Sequence, residues 1–136
     1  MKSLVIFYSY SGHTKVAAEE IAARESADIA EIKDAERPGR MKAFTAGAPA
    51  ATKGQSWPIQ PLNVELSEYE RLILMSPVWA GNTPPAVNAV LEILPEGKTV
   101  AIKMISASGG SKCKERLEKI INNKKCVLES FEDIKR

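Results

Sequence analysis

Uninterrupted apolar runs that alternate with segments of helical periodicity constrain this chain more than any other feature it has. Residues 4–8 are Leu4, Val5, Ile6, Phe7 and Tyr8, with no polar interruption, the pattern of a strand covered on both faces in a parallel sheet. Residues 14–24 follow at once, with Val16, Ala17, Ile21 and Ala22 at helical spacing and Glu19, Glu20 and Arg24 elsewhere, which predicts an amphipathic helix beginning straight after Gly12. Residues 28–33 alternate as a second strand near a sheet edge would. Residues 71–76 hold Leu72, Ile73, Leu74 and Met75 and stop at Pro77, a third, buried strand. Pro84 and Pro85 stand where a helix begins, with Val87, Val90, Leu91 and Leu94 as its apolar stripe. Residues 98–105 predict a fourth strand, 112–122 a helix with Leu117, Ile120 and Ile121 inward, and 125–131 a fifth strand. Residues 34–61 carry four of the chain's eight prolines, Pro38, Pro49, Pro58 and Pro61, together with Gly39, Gly47 and Gly54, and are expected to be mostly loop, with one short helical possibility over 40–46.

Strands alternating with helices imply parallel pairing and right-handed crossovers, hence an α/β, doubly wound open sheet. The length of 136 residues fits one domain over 1–136, and 44% apolar residues suffice for a core. A charged fraction of 26% with net charge +2 lacks the positive field of a nucleic-acid binder. Two cysteines without CxxC spacing and a single histidine argue against a zinc site or a disulfide framework. The apolar run after Met1, Lys2 and Ser3 is too short for a signal-peptide core, and no stretch reaches the roughly 20 apolar residues of a membrane span. The expectation is a soluble protein of the reducing cytoplasm, with no nucleic-acid or membrane partner.

Doubly wound sheets bind ligands beyond the carboxyl ends of their strands, which singles out residues 9–14, 77–83 and 106–111. The first loop reads Ser9, Tyr10, Ser11, Gly12, His13, Thr14: three small hydroxyls and a tyrosine around one glycine at the mouth of a helix. Unpaired amides and the positive end of the helix dipole suit such a loop to a phosphate, and Gly12 lets the backbone approach it. The same residues also read as an ordinary cap, with Ser11 or Thr14 on the helix amides and no ligand. Neither GxxxxGK[ST] nor GxGxxG is present. A receiver domain would need acidic residues after strands one and three, where this chain has Tyr8, Ser9, Ser76 and Pro77. In the second loop, Trp79 lies in a proline-bounded, glycine-containing stretch; it either stacks on a flat ring or folds over the loop as a hydrophobic anchor.

Ser9 to Thr14 after a buried strand, Tyr69 before the third strand, and Pro77, Val78, Trp79, Ala80 and Gly81 leading to Pro84 and Pro85 together resemble the flavodoxin family, over residues 1–131 and in the right order. The resemblance implies a five-stranded sheet of order 2-1-3-4-5 and bound FMN. Its phosphate would lie on Ser9, Ser11, Gly12, His13 and Thr14, with Tyr10 bonding through its backbone and the isoalloxazine against Trp79. Backbone groups of Val78, Ala80, Gly81 and Asn82, with Pro77 at the loop's base, and of Ser106, Ala107, Ser108, Gly109 and Gly110 would border the ring and tune it. Gly81 is the candidate for a peptide that responds to protonation of flavin N5.

The chain also departs from that family. The third loop has no aromatic residue, so one face of the ring is expected to be open, and the surface is near neutral where electron carriers are acidic. Both departures favour a small oxidoreductase that admits a nicotinamide, a quinone or a similar acceptor. A non-enzymatic carrier serving a redox protein, and a flavin-free binding module, are the other readings. Trp57 either covers the flavin or anchors its own loop. His13 is a proton donor near the phosphate or contributes only its amide; Lys15 and Cys113 are read as a solvated lysine and a plain thiol. The family's last helix is missing after the fifth strand, so a bare apolar sheet face is expected to be covered by a homodimer or by residues 34–61.

Overall fold

The computed structural model describes residues 2–136 and has the α/β architecture expected. β1 (Ser3–Tyr8), α1 (His13–Glu25), β2 (Asp28–Ile32), α2 (Arg40–Lys42), α3 (Ala48–Thr52), β3 (Arg71–Pro77), α4 (Pro85–Glu92), β4 (Thr99–Ser106), α5 (Lys114–Asn123) and β5 (Val127–Lys135) follow in that order. The five strands form one sheet of order 2-1-3-4-5, every pair parallel. The reversal of direction beside β1 places the loops after β1 and β3 at a switch point, with the loop after β4 next to them.

Strand alternation sends two apolar sets to opposite faces. Leu4, Ile6, Leu72, Leu74, Val100, Ile102 and Met104 face α4 and α5, packing on Val87, Val90, Leu91, Leu117 and Ile121. Val5, Phe7, Ile73, Met75, Ala101 and Ile105 face α1, which meets them with Ala17, Ala18 and Ala22. Alanines at that contact bring the helix axis close to the sheet, so one helix seals the middle strands: Ile73 and Met75 are fully buried without a second helix beside it.

Two expectations need correcting. The helical possibility over 40–46 does not end there, because α2 runs through a π-helical turn (Ala43–Gly47) into α3, giving helical backbone over residues 40–52, while the rest of residues 34–61 is irregular as expected. Met41, Phe44 and Ala48 recur at spacings of three and four, the signal that the prolines and glycines mask. Nor does this segment cover the face left without a last helix. It packs on the α4 side, where the Trp57 amide donates to the Pro85 carbonyl and the Asn88 side-chain amide to the Gln55 carbonyl.

The exposed half of the α1 face is charged instead of apolar. Arg71 grips Glu129 through two hydrogen bonds of 2.8 and 2.7 Å and lies 3.6 Å from Glu25, Lys103 pairs with Glu132, and Arg136 pairs with Glu20 on α1. β5 reaches this pattern through a bulge: Leu128 pairs with Val100 and Ser130 with Ala101, so Glu129 is the additional residue. The strand also runs beyond residue 131, its expected end, since charged Glu132 suits an uncovered face and Ile134 packs beside α1.

Arg71 holds the Glu129 carboxyl below its ordinary range, mainly by hydrogen bonding. Arg71→Ala is expected to cost about 1 kcal/mol at pH 7. A depressed carboxyl pKa stabilises above the unfolded value and loses that contribution as pH falls through the folded one, so the difference should fade below about pH 4. Urea midpoints of both proteins across pH 3 to 7 check this, in steps about one unit apart; a gap that persists in acid argues against it.

Candidate functional site

Tyr8 ends β1, and the chain then turns through Ser9 to Gly12 before α1 starts at His13. The cap differs from the one expected of Ser11 or Thr14. Gly12 is the N-cap, in the left-handed region at φ 101°, and no side chain caps α1 through it. The amides of Gly12 and Lys15 instead both donate to Ser9 Oγ, at 3.1 Å each. This leaves the Ser9 hydroxyl proton free to donate outward, while helix geometry leaves the His13 and Thr14 amides without intrahelical acceptors. A Cβ built on Gly12 meets nothing within 4 Å, so there is open space over the loop. The first turn of α1 carries no acidic residue to offset the positive end of its dipole. Ser11 and His13 are exposed and Thr14 is buried.

Tyr10 leaves this loop sideways. Its hydroxyl donates to the Pro38 carbonyl at 2.9 Å, its carbonyl accepts from Arg37 Nη2 at 3.0 Å, and the Arg37 guanidinium stands 4.3 Å from its ring centre. Arg37 was not anticipated, since nothing in its own sequence neighbourhood marks it.

The second loop is a tight turn. Trp79 and Asn82 exchange both backbone hydrogen bonds, at 2.8 and 2.9 Å, and the two residues between them, Ala80 and Gly81, have φ of 50° and 81°. Positive φ at both central positions defines a mirror-image turn that a glycine eases. It projects Ala80 and Gly81 outward and sends the indole of Trp79 back over Tyr8 and Tyr10, whose ring centres lie 6.0 and 5.6 Å away in edge-to-face geometry. Behind the indole lies Gly47, where a Cβ would come within 2.7 Å of the Trp79 ring. Trp79 is thus both anchor and wall: half-buried, it is fixed by its neighbours and still lines a cleft. Val78 is half-buried below it and Pro77 closes β3 opposite Ile105.

That cleft, of about 370 Å³, has Tyr10, Trp79 and Ala80 along one wall and Arg40, Ala43, Phe44 and Ala48 along the other, and its lining is mostly apolar. Trp57 is not in it. It sits on the far side of Gly47, with Lys42 over its ring at 5.3 Å, so the anchoring alternative describes it and Phe44 takes the place at the rim. Another cleft, of about 330 Å³, lies between α4 and α5 around Arg116, away from the strand ends.

The third loop closes on itself: Ser106 Oγ accepts from the Gly109 amide at 3.0 Å and lies 3.4 Å from Ser108 Oγ. Ala107, Ser108 and Gly110 are exposed. None of these residues lines the cleft. The Lys112 amide ties the loop to its neighbour by donating to the Gly81 carbonyl at 2.7 Å, so rotating the Gly81 peptide would break that tie.

Under the aromatic group, Tyr8 donates a 2.6 Å hydrogen bond to Asp34. Both side chains are buried. Burial pushes the Asp34 carboxyl above its usual range in spite of the Tyr8 hydroxyl, Arg37 and Lys42, and burial with the Asp34 bond raises the Tyr8 phenol.

The model of the family described as NADPH-dependent FMN reductase matches residues 1–130. The chain belongs to this family. It is therefore an FMN-binding, flavodoxin-like oxidoreductase, with FMN as its cofactor. Solved structures agree on the fold. A flavoprotein from Lactobacillus acidophilus in complex with FMN is 23% identical with a TM-score of 0.73, covering 96% of this chain and 91% of that one. A structure from Bacteroides eggerthii described as a flavoprotein reaches 0.80 at 20% identity over 96% and 86%. Oxidised flavodoxin 1 from Bacillus cereus gives 0.56 at 20% over 100% and 86%. A search of curated proteins finds no match. Among the described residues, no helix is long and apolar enough to cross a membrane, and no three His, Cys, Asp or Glu side chains gather as metal ligands.

Asp34→Asn keeps an acceptor for Tyr8 and removes the buried charge. A raised carboxyl pKa means the folded state takes up its proton first, so wild type should gain stability relative to the variant as pH falls from about 7 toward about 4. The variant should be at least as stable at neutral pH. A constant difference in urea midpoint over that range would sink this account.

Proposed function

We propose that the reductase holds FMN with its phosphate over residues 9–14 and its isoalloxazine in the cleft beside Trp79, and oxidises a nicotinamide donor there. The observation that carries this reading is the continuity of the two halves through Tyr10. A polar cradle, made of the first-turn amides of His13 and Thr14 and the outward Ser9 hydroxyl, leads within one side chain to an apolar cleft bounded by aromatic groups. Phosphate and flat ring are the two ends of FMN, and the cleft's volume falls in the range of cofactor pockets.

In this arrangement the amides of Ser11, His13 and Thr14 and the hydroxyls of Ser9, Ser11 and Thr14 hold the phosphate, aided by the α1 dipole, while Gly12, whose amide goes to Ser9, lets the backbone approach it. His13 contributes its amide. Tyr10, fixed at both ends by Pro38 and Arg37, sets the angle between cradle and cleft. Trp79 supplies the ring's inner wall and is kept from collapsing by Tyr8, Tyr10 and Gly47. The outward peptides of Pro77 to Asn82 border the ring edge, and residues 106–110, outside the cleft itself, are tied to that turn by the Lys112 to Gly81 bond. Bound FMN supplies the hydride and electron chemistry, so no side chain need act as nucleophile or general base. The exposed, aromatic-free third loop leaves room for a donor and then an acceptor, a quinone or a redox protein, on the ring.

A homodimer lacks the apolar seat from which it was argued, since the open half of the α1 face is charged. The single chain is the working unit, and size-exclusion chromatography of the FMN-loaded protein should give a monomer; elution as a dimer overturns this.

Titration with FMN should yield a retained visible absorption band and quenched tryptophan fluorescence. Ser9→Ala, which frees two loop amides from their shared acceptor, should weaken FMN about tenfold, roughly 1.4 kcal/mol. Full retention by Ser9→Ala together with unquenched Trp79 would reject this placement.

A further inference from the structure

Two features of the segment opposite Trp79 are not accounted for by holding FMN. Phe44 is 80% exposed and Met41 79%, though they are large apolar side chains next to each other on one helical surface. Only part of Phe44 lines the cleft; the rest of its ring faces solvent. Exposed apolar pairs at the rim of a site mark a contact surface. The second feature is charge. Between Glu36 and Glu65 the chain has Arg37, Arg40, Lys42 and Lys53 and not one acidic residue. Arg37 is engaged with Tyr10, and Lys42 stands over Trp57. Arg40 forms no ion pair among the described residues, is exposed, and shares the cleft rim with Phe44.

A flat apolar surface beside an unengaged guanidinium suits a ligand that is aromatic at one end and carries a phosphate close by. We infer that this rim is the seat of the phosphorylated adenosine of the NADPH donor, with the adenine on the outer face of Phe44 and the 2′-phosphate on Arg40. Arg40 then discriminates NADPH from NADH, because a guanidinium recognises the additional phosphate through paired, charge-assisted hydrogen bonds. The assignment rests on the placement of FMN in the adjoining cleft, which leaves the nicotinamide end within reach of the ring. Nothing chemical happens at the rim itself; Phe44 and Arg40 are specificity residues for a reaction whose electrons pass elsewhere.

NADP⁺ and NAD⁺ are titrated by calorimetry into wild type, Arg40→Gln and Phe44→Ala, all as purified with FMN, and kcat/KM is measured for NADPH and NADH. Arg40→Gln should weaken NADP⁺ about tenfold and leave NAD⁺ unchanged, in keeping with the loss of one charge-assisted phosphate contact. Phe44→Ala should weaken both nucleotides to a similar degree. Equal binding of NADP⁺ and NAD⁺ by wild type, or unchanged NADP⁺ binding in both variants, overturns the inference. In the second case, co-sedimentation of wild type with phosphatidylglycerol vesicles, lost in the variants, reassigns the rim to a lipid surface. Each variant's FMN content is read from its visible absorption. A wild type that keeps no FMN defeats the cofactor placement, whereas the NADP⁺ preference and its loss in Arg40→Gln judge the rim on their own.

Discussion

The edge-to-face packing of Trp79 on Tyr8 and Tyr10, backed by Gly47, is the contact on which the site's shape depends. It joins the carboxyl ends of β1 and β3 to the helical segment after β2, three pieces of chain that share no regular hydrogen bonding at this point. The fit is close enough that a side chain at position 47 would displace the indole. With the indole held, the turn at Ala80 and Gly81 must face outward. The cleft then exists before any ligand arrives, which lowers the ordering cost of binding. Tyr8 has a second task, since its hydroxyl takes the Asp34 carboxyl into the core and anchors the start of the segment that carries Phe44.

Much of the fold was legible because buried parallel strands advertise themselves. Residues 4–8, 71–76 and 98–105 had to be strands, and the switch point pointed to three loops, two of which meet at the observed cleft. The loop at residues 9–14 stood out as a candidate cradle by its hydroxyls and glycine, although the role of Ser9 as a double acceptor for Gly12 and Lys15 did not, because that depends on how the backbone curls. The helix within residues 34–61 was read too short, over 40–46 instead of 40–52, for a physical reason. Gly39, Gly47 and Pro49 break helical propensity locally, while packing of Ala50, Ala51 and Gly47 restores the helix through contacts that sequence neighbours do not reveal. Phe44 and Arg40 were missed with it. The expectation of a bare apolar face failed because the helix-free strands had already exchanged apolar for charged residues at Arg71, Lys103, Glu129 and Glu132, a substitution visible in the sequence only once the register is known.

The site is asymmetric in charge and polarity. In the proposed placement its phosphate end relies on backbone amides, a hydroxyl and a helix dipole, with Arg37 spent on the Tyr10 carbonyl and ring, whereas Arg40 stands unengaged on the opposite rim. A cofactor phosphate and a donor phosphate would therefore be recognised by different means: the first by fixed geometry, the second by mobile charge. That division suits a cofactor that stays and a nucleotide that comes and goes.

The bulge at Glu129 has a consequence beyond its ion pair. β5 is an outer strand, and a flat outer strand offers its unpaired amides and carbonyls to any other molecule in an extended conformation. Here the additional residue twists the strand away from flatness, and Glu129, Glu132 and Asp133 place negative charge along it. A second chain seeking to extend the sheet would meet a broken hydrogen-bond ladder and a face of charged side chains that would have to be desolvated. The same residues that make one face of β5 charged thus also guard the sheet against polymerising through its edge.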